Sequence, residues 1–114
     1  MTAEEFVSCI RREVLEANLA MYKNSIARSP SDSDAEHGNW PKMAEFYRSL
    51  SNEERQEFMA IVRQIMVDTL SNVFGILDGS TLLEKDRGYF QLTYGEEAQK
   101  LNGELQDLFL SGES

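Results

Sequence analysis

The sequence predicts a mainly α-helical protein: a helical bundle of two long helices and one short helix, with a small C-terminal β-hairpin and a short terminal helix. Residues 2–27 and 51–79 both repeat apolar side chains at the helical period. After residue 79 that period gives way to an aromatic, partly alternating stretch typical of strands. A length of 114 residues suits one domain with its own core, so we expect residues 1–114 to form a single domain.

The first long helix is predicted over Thr2–Ala27, where Thr2 and Glu5 have the spacing of a capping box. Its predicted buried stripe consists of Phe6, Cys9, Ile10, Val14, Ala17 and Met21, with Tyr22 on the flank.

Arg28–Gly38 is rich in Pro, Ser, Asp and Gly, which predicts a loop. Its acids lack the Gly and Glu positions of an EF-hand, so the sequence favours a solvated acidic loop over a calcium site.

A short helix is predicted over Asn39–Leu50, with Asn39 as its cap and Pro41 in the first turn. Its inner stripe consists of Trp40, Met43, Ala44, Tyr47 and Leu50.

The central helix follows over Ser51–Gly79. It begins with a Ser51–Glu54 capping box and ends at Gly79, which tolerates the left-handed conformation. Its apolar stripe consists of Phe58, Ile61, Val62, Ile65, Met66, Thr69, Leu70, Val73, Phe74 and Leu77.

Beyond the central helix, Tyr89–Tyr94 predicts a small hairpin or an extended arm packed on the helices. Gly95–Lys100 fits either a turn or the start of another helix. Asn102–Leu110 predicts the terminal helix, with Asn102 as its N-cap. Leu105, Leu108 and Phe109 are its expected anchors.

The net charge of the chain indicates which classes of binding partner to expect. The chain has 20 acids and 11 bases, a net charge of -9, so we expect neither nucleic acid nor an anionic membrane to bind it. No uninterrupted apolar run reaches the roughly 20 residues of a membrane span. A basic protein is the partner that this charge favours. The single cysteine, Cys9, suits a reducing cytoplasm, and we expect a cytoplasmic protein with Cys9 buried in the first helix.

The negative charge is concentrated at the C-terminal end. Residues 95–114 hold Glu96, Glu97, Glu104, Asp107 and Glu113 against Lys100. This composition fits either a solvated tail or an acidic docking face for a basic protein. A docking face of this kind raises the association rate and fixes specificity.

Two polar residues of the central helix, Asp68 and Asn72, are spaced i, i+4 and share a flank with Ile61 and Ile65. They fit a polar cluster at the mouth of a groove, with Asp68 accepting from a cationic group. The sequence favours the alternative, a structural pair that fixes the angle of a neighbouring segment such as the hairpin.

The aromatic residues are a further group of candidates, because Trp and Tyr often anchor protein interfaces. Trp40, Tyr89 and Tyr94 are candidate contact residues, although this spacing also suits a core. Phe46 and one face of residues 89–94 are expected to be exposed. An exposed strand edge there could add a second chain to the hairpin.

Catalytic and metal-binding patterns are not recognisable in this sequence. A zinc site normally takes several His or Cys ligands, and the chain has one of each, Cys9 and His37. Its glycines lack the spacing of a phosphate-binding loop. We therefore expect a non-enzymatic protein without cofactors.

Two phrases, VDTLSNVFGILDGSTLLE at 67–84 and LNGELQDLFL at 101–110, resemble a family of small uncharacterised bacterial cytoplasmic proteins, a domain of unknown function. The resemblance covers the C-terminal half and implies no catalytic residues. Small size and acidity also resemble the immunity proteins of bacterial toxin systems, an analogy independent of any motif.

Three hypotheses follow. The first is a protein-binding module, immunity-like or antitoxin-like, that docks a basic partner. The second is a structural homodimer formed through the long helices or the edge at 89–94. The third is a small-ligand binder or enzyme that uses a polar groove near Asp68.

Overall fold

The computed structural model describes residues 1–27, 40–83 and 88–113, and within them the predicted mainly helical fold is confirmed. The helices are α1 (Ala3–Ile10), a π-helical segment (Arg11–Glu16), α2 (Ala17–Ala27), α3 (Trp40–Ser49), α4 (Asn52–Asp78) and α5 (Leu105–Ser111), and the strands are β1 (Thr93–Tyr94) and β2 (Gln99–Lys100). The predicted loop at 28–38, with its acids and His37, the cap at Asn39 and residues 84–87 lie outside these ranges.

The first long helix is continuous but changes type in its middle. Thr2 caps it by accepting a hydrogen bond from the Glu5 amide at 3.1 Å. From Arg11 to Glu16 the backbone is π-helical, and the Ala17 amide donates to the Arg12 carbonyl five residues back. A π segment takes more residues per turn than an α-helix, so it rotates the side chains that follow relative to those before it.

Because of this rotation, the side chains that are buried along the first helix differ from the predicted stripe. Leu15, which an unbroken 3.6-residue period excludes, is 1% exposed and is among the most buried side chains. Met21 and Ala17, which that period would bury, are exposed, and Cys9 is half-buried. The sequence prediction was wrong here because it assumed one helical period from Thr2 to Ala27.

The central helix has the predicted ends. Ser51 accepts from the Glu54 amide at 3.1 Å, and the Glu54 carboxylate accepts from the Ser51 amide at 2.8 Å, which completes the capping box. The hydrogen bond from the Ser51 amide is the main reason that the pKa of Glu54 is lowered. Gly79 ends the helix at φ 83°, in the left-handed region that glycine tolerates without a Cβ clash.

The main core lies where α1, the C-terminal half of α4 and α5 meet. Its buried members are Val7, Leu15, Val67, Phe74, Leu105 and Phe109. The Phe74 ring packs edge-on against Phe6 and Phe109, with centroids 6.3 and 5.4 Å away. Such aromatic pairs add stability beyond the area that they bury.

A second aromatic cluster joins α2, α3 and the start of α4. Tyr22 and Trp40 pack with ring centroids 5.1 Å apart, and Phe58 contacts the rings of Phe46 and Tyr47. Ala44 and Tyr47 are buried, as the predicted inner stripe of the short helix requires. This confirms the orientation predicted for α3.

The hairpin lies later in the chain than predicted. Residues 89–92 form no strand, and the two-stranded antiparallel sheet pairs Thr93 with Lys100 and Tyr94 with Gln99. A turn at residues 95–98 connects the strands, so of the two alternatives for 95–100 the turn is correct. The amide of Leu101 donates to the carbonyl of Leu92 at 2.8 Å and extends the pairing.

Asn102 does not cap the terminal helix, contrary to the sequence prediction. It is buried, and its amide nitrogen donates to the carbonyls of Leu77, at 2.5 Å, and Phe90, at 2.9 Å. Its oxygen accepts from the Leu92 amide at 2.9 Å. Asn102 therefore ties the extended arm to the end of α4, because a buried amide must satisfy its donors and acceptor inside the protein.

The described protein is elongated. Its radius of gyration is 17.8 Å, against about 13 Å for a compact domain of this length. The overall dimensions are 49 × 32 × 31 Å. In this elongated shape, one side of α4 is exposed to solvent over much of its length.

Candidate functional site

One side of α4 is apolar and uncovered, and it is the most prominent surface of the described chain. Ile61 is 61% exposed, Ile65 59% and Val73 47%, and Thr69 and Asn72 between them are exposed. We call these five residues the uncovered face. The sequence assigned Ile61, Ile65 and Val73 to the core, and that assignment was wrong.

The reason is that the apolar arc of α4 is wider than the surface available to cover it. The core contacts Val67, Phe74 and the small residues Ser71 and Gly75, which are all buried. The Gln106 side chain donates to the Ser71 carbonyl at 3.0 Å and lies directly over Gly75. Of the predicted stripe, Phe74 is buried in the core and Met66, Leu70 and Leu77 pack against it, whereas Ile61, Ile65 and Val73 are left exposed.

On length and composition alone, α4 could cross a membrane. An 18-residue window has a mean hydropathy of 1.3, and only 22% of that window is buried. Arg63 and Asp68 interrupt the apolar residues of this helix, so it contains no uninterrupted apolar run of that length. Core helices of soluble proteins pass the same test, but they are mostly buried, so the low burial here is the unusual feature.

A groove of about 220 Å³ runs beside the uncovered face, between the π segment and α4. Its walls are almost entirely apolar. They consist of Val14, Leu15, Asn18, Ile65, Met66, Thr69 and Leu70. Ile65 and Thr69 belong to both the groove and the uncovered face, so the two form one continuous apolar surface.

Asp68 and Asn72 do not line this groove, although both are exposed. Asp68 accepts a hydrogen bond from the Gln64 side chain at 2.9 Å, four residues back on the same helix. Among the described residues, neither side chain bonds a neighbouring segment: the ties to the extended arm and α5 come from Asn102 and Asp78. Asn72 is therefore a polar member of the uncovered face, and Asp68 lies at its rim.

The candidate aromatic residues separate into two groups. Trp40 is half-buried against Tyr22 and holds α3 on α2. Tyr89 and Tyr94 are 79% and 52% exposed, and Phe46 is exposed as predicted. Tyr89 lies beside the end of α4, since its ring would be 3.2 Å from a Cβ placed on Gly79. Of the three candidate contact residues, Tyr89 and Tyr94 therefore remain available to another molecule, and Phe46 is exposed as well.

The C-terminal acids also separate into two groups. Glu96, Glu97, Glu104 and Asp107 are exposed on the hairpin and at the start of α5. We call these four residues the acidic region. Glu113 does not belong to it, because Arg63 donates to its carboxylate at 2.5 Å and Arg11 donates to it as well.

The Glu113 carboxylate and its two arginines form a clasp that fixes the end of the chain. The hydrogen bond from Arg63 is the main reason that the pKa of Glu113 is lowered, and the same bond raises the pKa of Arg63. Arg63 also donates to Glu16 at 3.2 Å. Arg11 donates to the Phe109 carbonyl at 2.5 Å, and its guanidinium lies 4.5 Å from the centre of the Phe109 ring.

This clasp was not predicted from the sequence. Residues 11, 63 and 113 share no local pattern, and only the fold brings them together. In the described ranges, no three His, Cys, Asp or Glu side chains come close enough to hold a metal ion. Cys9 accepts a weak hydrogen bond from Arg12 at 3.7 Å.

Comparisons with protein-family models, with curated proteins and with solved structures find no match to this chain.

Proposed function

We propose that this chain is a non-enzymatic protein-binding module that docks a basic protein, in the manner of the immunity proteins of bacterial toxin systems. In this proposal it acts in the cytoplasm. The observation that supports it is the acidic region: four carboxylates on the hairpin and α5 are exposed, and none is paired with a cation in the described ranges.

These carboxylates, which pair with no cation among the described residues, contrast with Glu113, which two arginines hold. Acids that stabilise a fold are typically satisfied within it, whereas exposed acids remain available to an incoming cationic surface. Lys100, also exposed, is the single base in residues 95–114. Complementary charge of this kind steers encounter and excludes wrong partners.

Exposed tyrosines accompany the acids. Tyr94 lies in β1, adjoining the turn that holds Glu96 and Glu97. Tyrosine contributes much of the binding energy at many interfaces because it offers a rigid apolar ring and a polar tip. We assign Tyr94 as the anchor of the docking surface, with Glu104 and Asp107 as charged contacts.

The test is an affinity capture with the full chain, at low and at high salt, from a lysate of its native host. The binding variant is Glu104→Gln/Asp107→Asn, and the matched control is Glu53→Gln/Glu57→Gln. Both lose two exposed negative charges, so they differ only in the place of the loss.

We expect a basic protein to bind at low salt, to dissociate at high salt, and to bind the Glu53/Glu57 variant but not the Glu104/Asp107 variant. Equal loss in both variants would show that total charge, not the acidic region, determines binding. Capture of no basic protein would contradict the proposed function.

A further inference from the structure

A regular seam runs along the exposed side of α4. Its members follow one another at steps of four, three, four, three and four residues. They are Phe58, Val62, Ile65, Thr69, Asn72 and Ile76. This alternation is the a/d spacing of a coiled coil, in which a second helix packs its own side chains between those of the first.

The structure leaves this seam accessible. Ile65, Thr69 and Asn72 at its centre are exposed, and the three outer members are half-buried. Ile61 and Val73, about half exposed, lie on either side of it. They occupy the positions that flank a coiled-coil seam and extend its apolar surface.

The polar members of the seam are compatible with burial. The Thr69 hydroxyl donates to the Ile65 carbonyl at 2.8 Å, so its polar group is satisfied within α4 and its methyl group is free to pack. Asn72 is one amide in an otherwise mostly apolar series. By these steps Asn72 occupies a d position, and a polar residue in an apolar seam favours alignments in which it meets another polar group, at a cost in stability.

We propose that this seam packs against the same seam of a second copy of this chain, forming a twofold dimer through α4. The order of steps reads the same in both directions, so the seam meets its own copy in register whichever way the second helix runs. A twofold interface requires a self-complementary surface, and this palindromic spacing supplies one.

The exposed area is consistent with a dimer. A large apolar side chain that is half exposed offers roughly 100 Å². Ile61, Ile65, Val73 and Phe46, which adjoins Phe58, therefore offer about 400 Å² per copy before the half-buried members are added. Stable interfaces bury about 800 Å² per partner, so these four side chains supply about half of one. The largest apolar patch on a typical monomer is about 300–600 Å² and is often an interaction site.

A membrane fits the same surface less well. Between residues 58 and 76 the exposed side has one charged residue, Asp68, because Arg63 points to Glu16 and Glu113. Helices that lie on membranes are typically rich in Lys and Arg on their polar face, and the net charge of -9 opposes binding to anionic lipid. The surface is independent of the acidic region and does not need a basic partner.

The test is the molar mass of the full chain in solution, measured by light scattering and by sedimentation over a concentration series. We expect about twice the chain mass of 13.0 kDa. Ile65→Asp places a charge at the centre of the seam and should raise the dimer dissociation constant at least tenfold. Leu110→Asp is the matched control, because Leu110 is an exposed apolar residue of α5, 41% exposed, outside the seam.

Ile65 is outside the core, so Ile65→Asp should keep the helical circular dichroism and the cooperative unfolding of the parent chain. A parent chain that stays monomeric at high micromolar concentration would overturn the proposal. So would a dimer that Ile65→Asp and Leu110→Asp weaken equally. A monomer that instead sediments with neutral lipid vesicles would overturn it in favour of a membrane surface.

Disulfide trapping tests the seam without disturbing it by charge. Against a Cys9→Ser background, we would oxidise Ile65→Cys alone, Thr69→Cys alone and a mixture of the two. A parallel pair links each variant to itself, and an antiparallel pair links Ile65→Cys to Thr69→Cys, so either pattern supports the seam. A dimer in which no combination forms a covalent link would contradict it.

Discussion

The carboxylate of Asp78, the last residue of α4, accepts a hydrogen bond from the backbone amide of Gln106 at 2.8 Å. It also accepts from the amides of Gly103 at 2.7 Å and Leu105 at 3.1 Å. The start of α5 is therefore capped by the end of another helix. The negative charge of Asp78 at the N-terminus of α5 also interacts favourably with the dipole of that helix. These hydrogen bonds hold α5 against the C-terminal end of α4.

Asp78→Ala should lower the free energy of unfolding by about 1–2 kcal/mol, because three backbone amides lose their acceptor. Urea unfolding followed by circular dichroism measures the change. Asp68→Ala is the control and should stay within about 0.5 kcal/mol of the parent, since Asp68 is exposed and bonds only Gln64 among the described residues. Similar losses from both substitutions would contradict the capping role.

Asn102→Ala should cost about 2–3 kcal/mol of stability. It removes hydrogen bonds to Leu77, Phe90 and Leu92 and leaves main-chain groups unsatisfied in a buried place. Asn72→Ala, at an exposed position, serves as the comparison and should change stability little. Hydrogen exchange of the Leu92 amide would show the local loss directly, and an unchanged exchange rate would refute it.

Because of the π segment, we expect alanine substitutions at the adjacent residues Leu15 and Val14 to lower the free energy of unfolding by different amounts. Leu15→Ala should destabilise the protein by about 2–5 kcal/mol, because Leu15 is fully buried in the main core. Val14→Ala should cost distinctly less, about 1 kcal/mol, because Val14 lies at the wall of the open groove. Thermal unfolding of the two variants compares them, and a reversed order would mean that the helix keeps one period throughout.

The clasp predicts a pH dependence of stability. The pKa of Glu113 is lowered in the folded protein, so its ion pair contributes stability above the unfolded pKa of about 4.3, and that contribution is lost as pH falls through the lower, folded value. Glu113→Gln should therefore be less stable than the parent by about 1 kcal/mol near pH 7, and the difference should shrink as the pH falls below about 4.3.

Urea unfolding at several pH values measures this difference. Glu97→Gln is the control, because Glu97 is exposed on the hairpin turn and its substitution should change stability little. A Glu113→Gln penalty that persists unchanged at low pH would show that the side chain acts through packing rather than through its charge.

Local chemistry made the ends of the central helix predictable. Ser51, Glu54 and Gly79 act through residues within a few positions, so their roles can be recognised from sequence alone. Asn102 misled the prediction for the opposite reason. A residue of a good capping type stands just before a helical pattern, but Asp78, 28 residues from Gln106, takes the capping role and leaves Asn102 to bind the extended arm.

The candidate surfaces likewise combine features that the sequence predicts with features that only the structure shows. The sequence places acids near the C-terminal end, and only the structure separates Glu113, held by Arg11 and Arg63, from the four exposed ones. Periodicity showed that α4 is broadly apolar, but it cannot show which part of a wide stripe finds cover. Burial depends on neighbouring helices, and the predicted centre of the stripe is the part that α1 and α5 leave open.

By itself, the sequence determined the helical class of this protein, the limits of its central helix, the inner side of α3 and the net charge that a partner meets. These depend on spacing, on capping residues and on composition, which act over a few residues or over the whole chain. The tertiary structure alone decided the phase of the first helix, the Asp78 and Asn102 ties, the Glu113 clasp and the uncovered face of α4. Each of these depends on residues far apart in sequence, whose contacts exist only once the helices have packed.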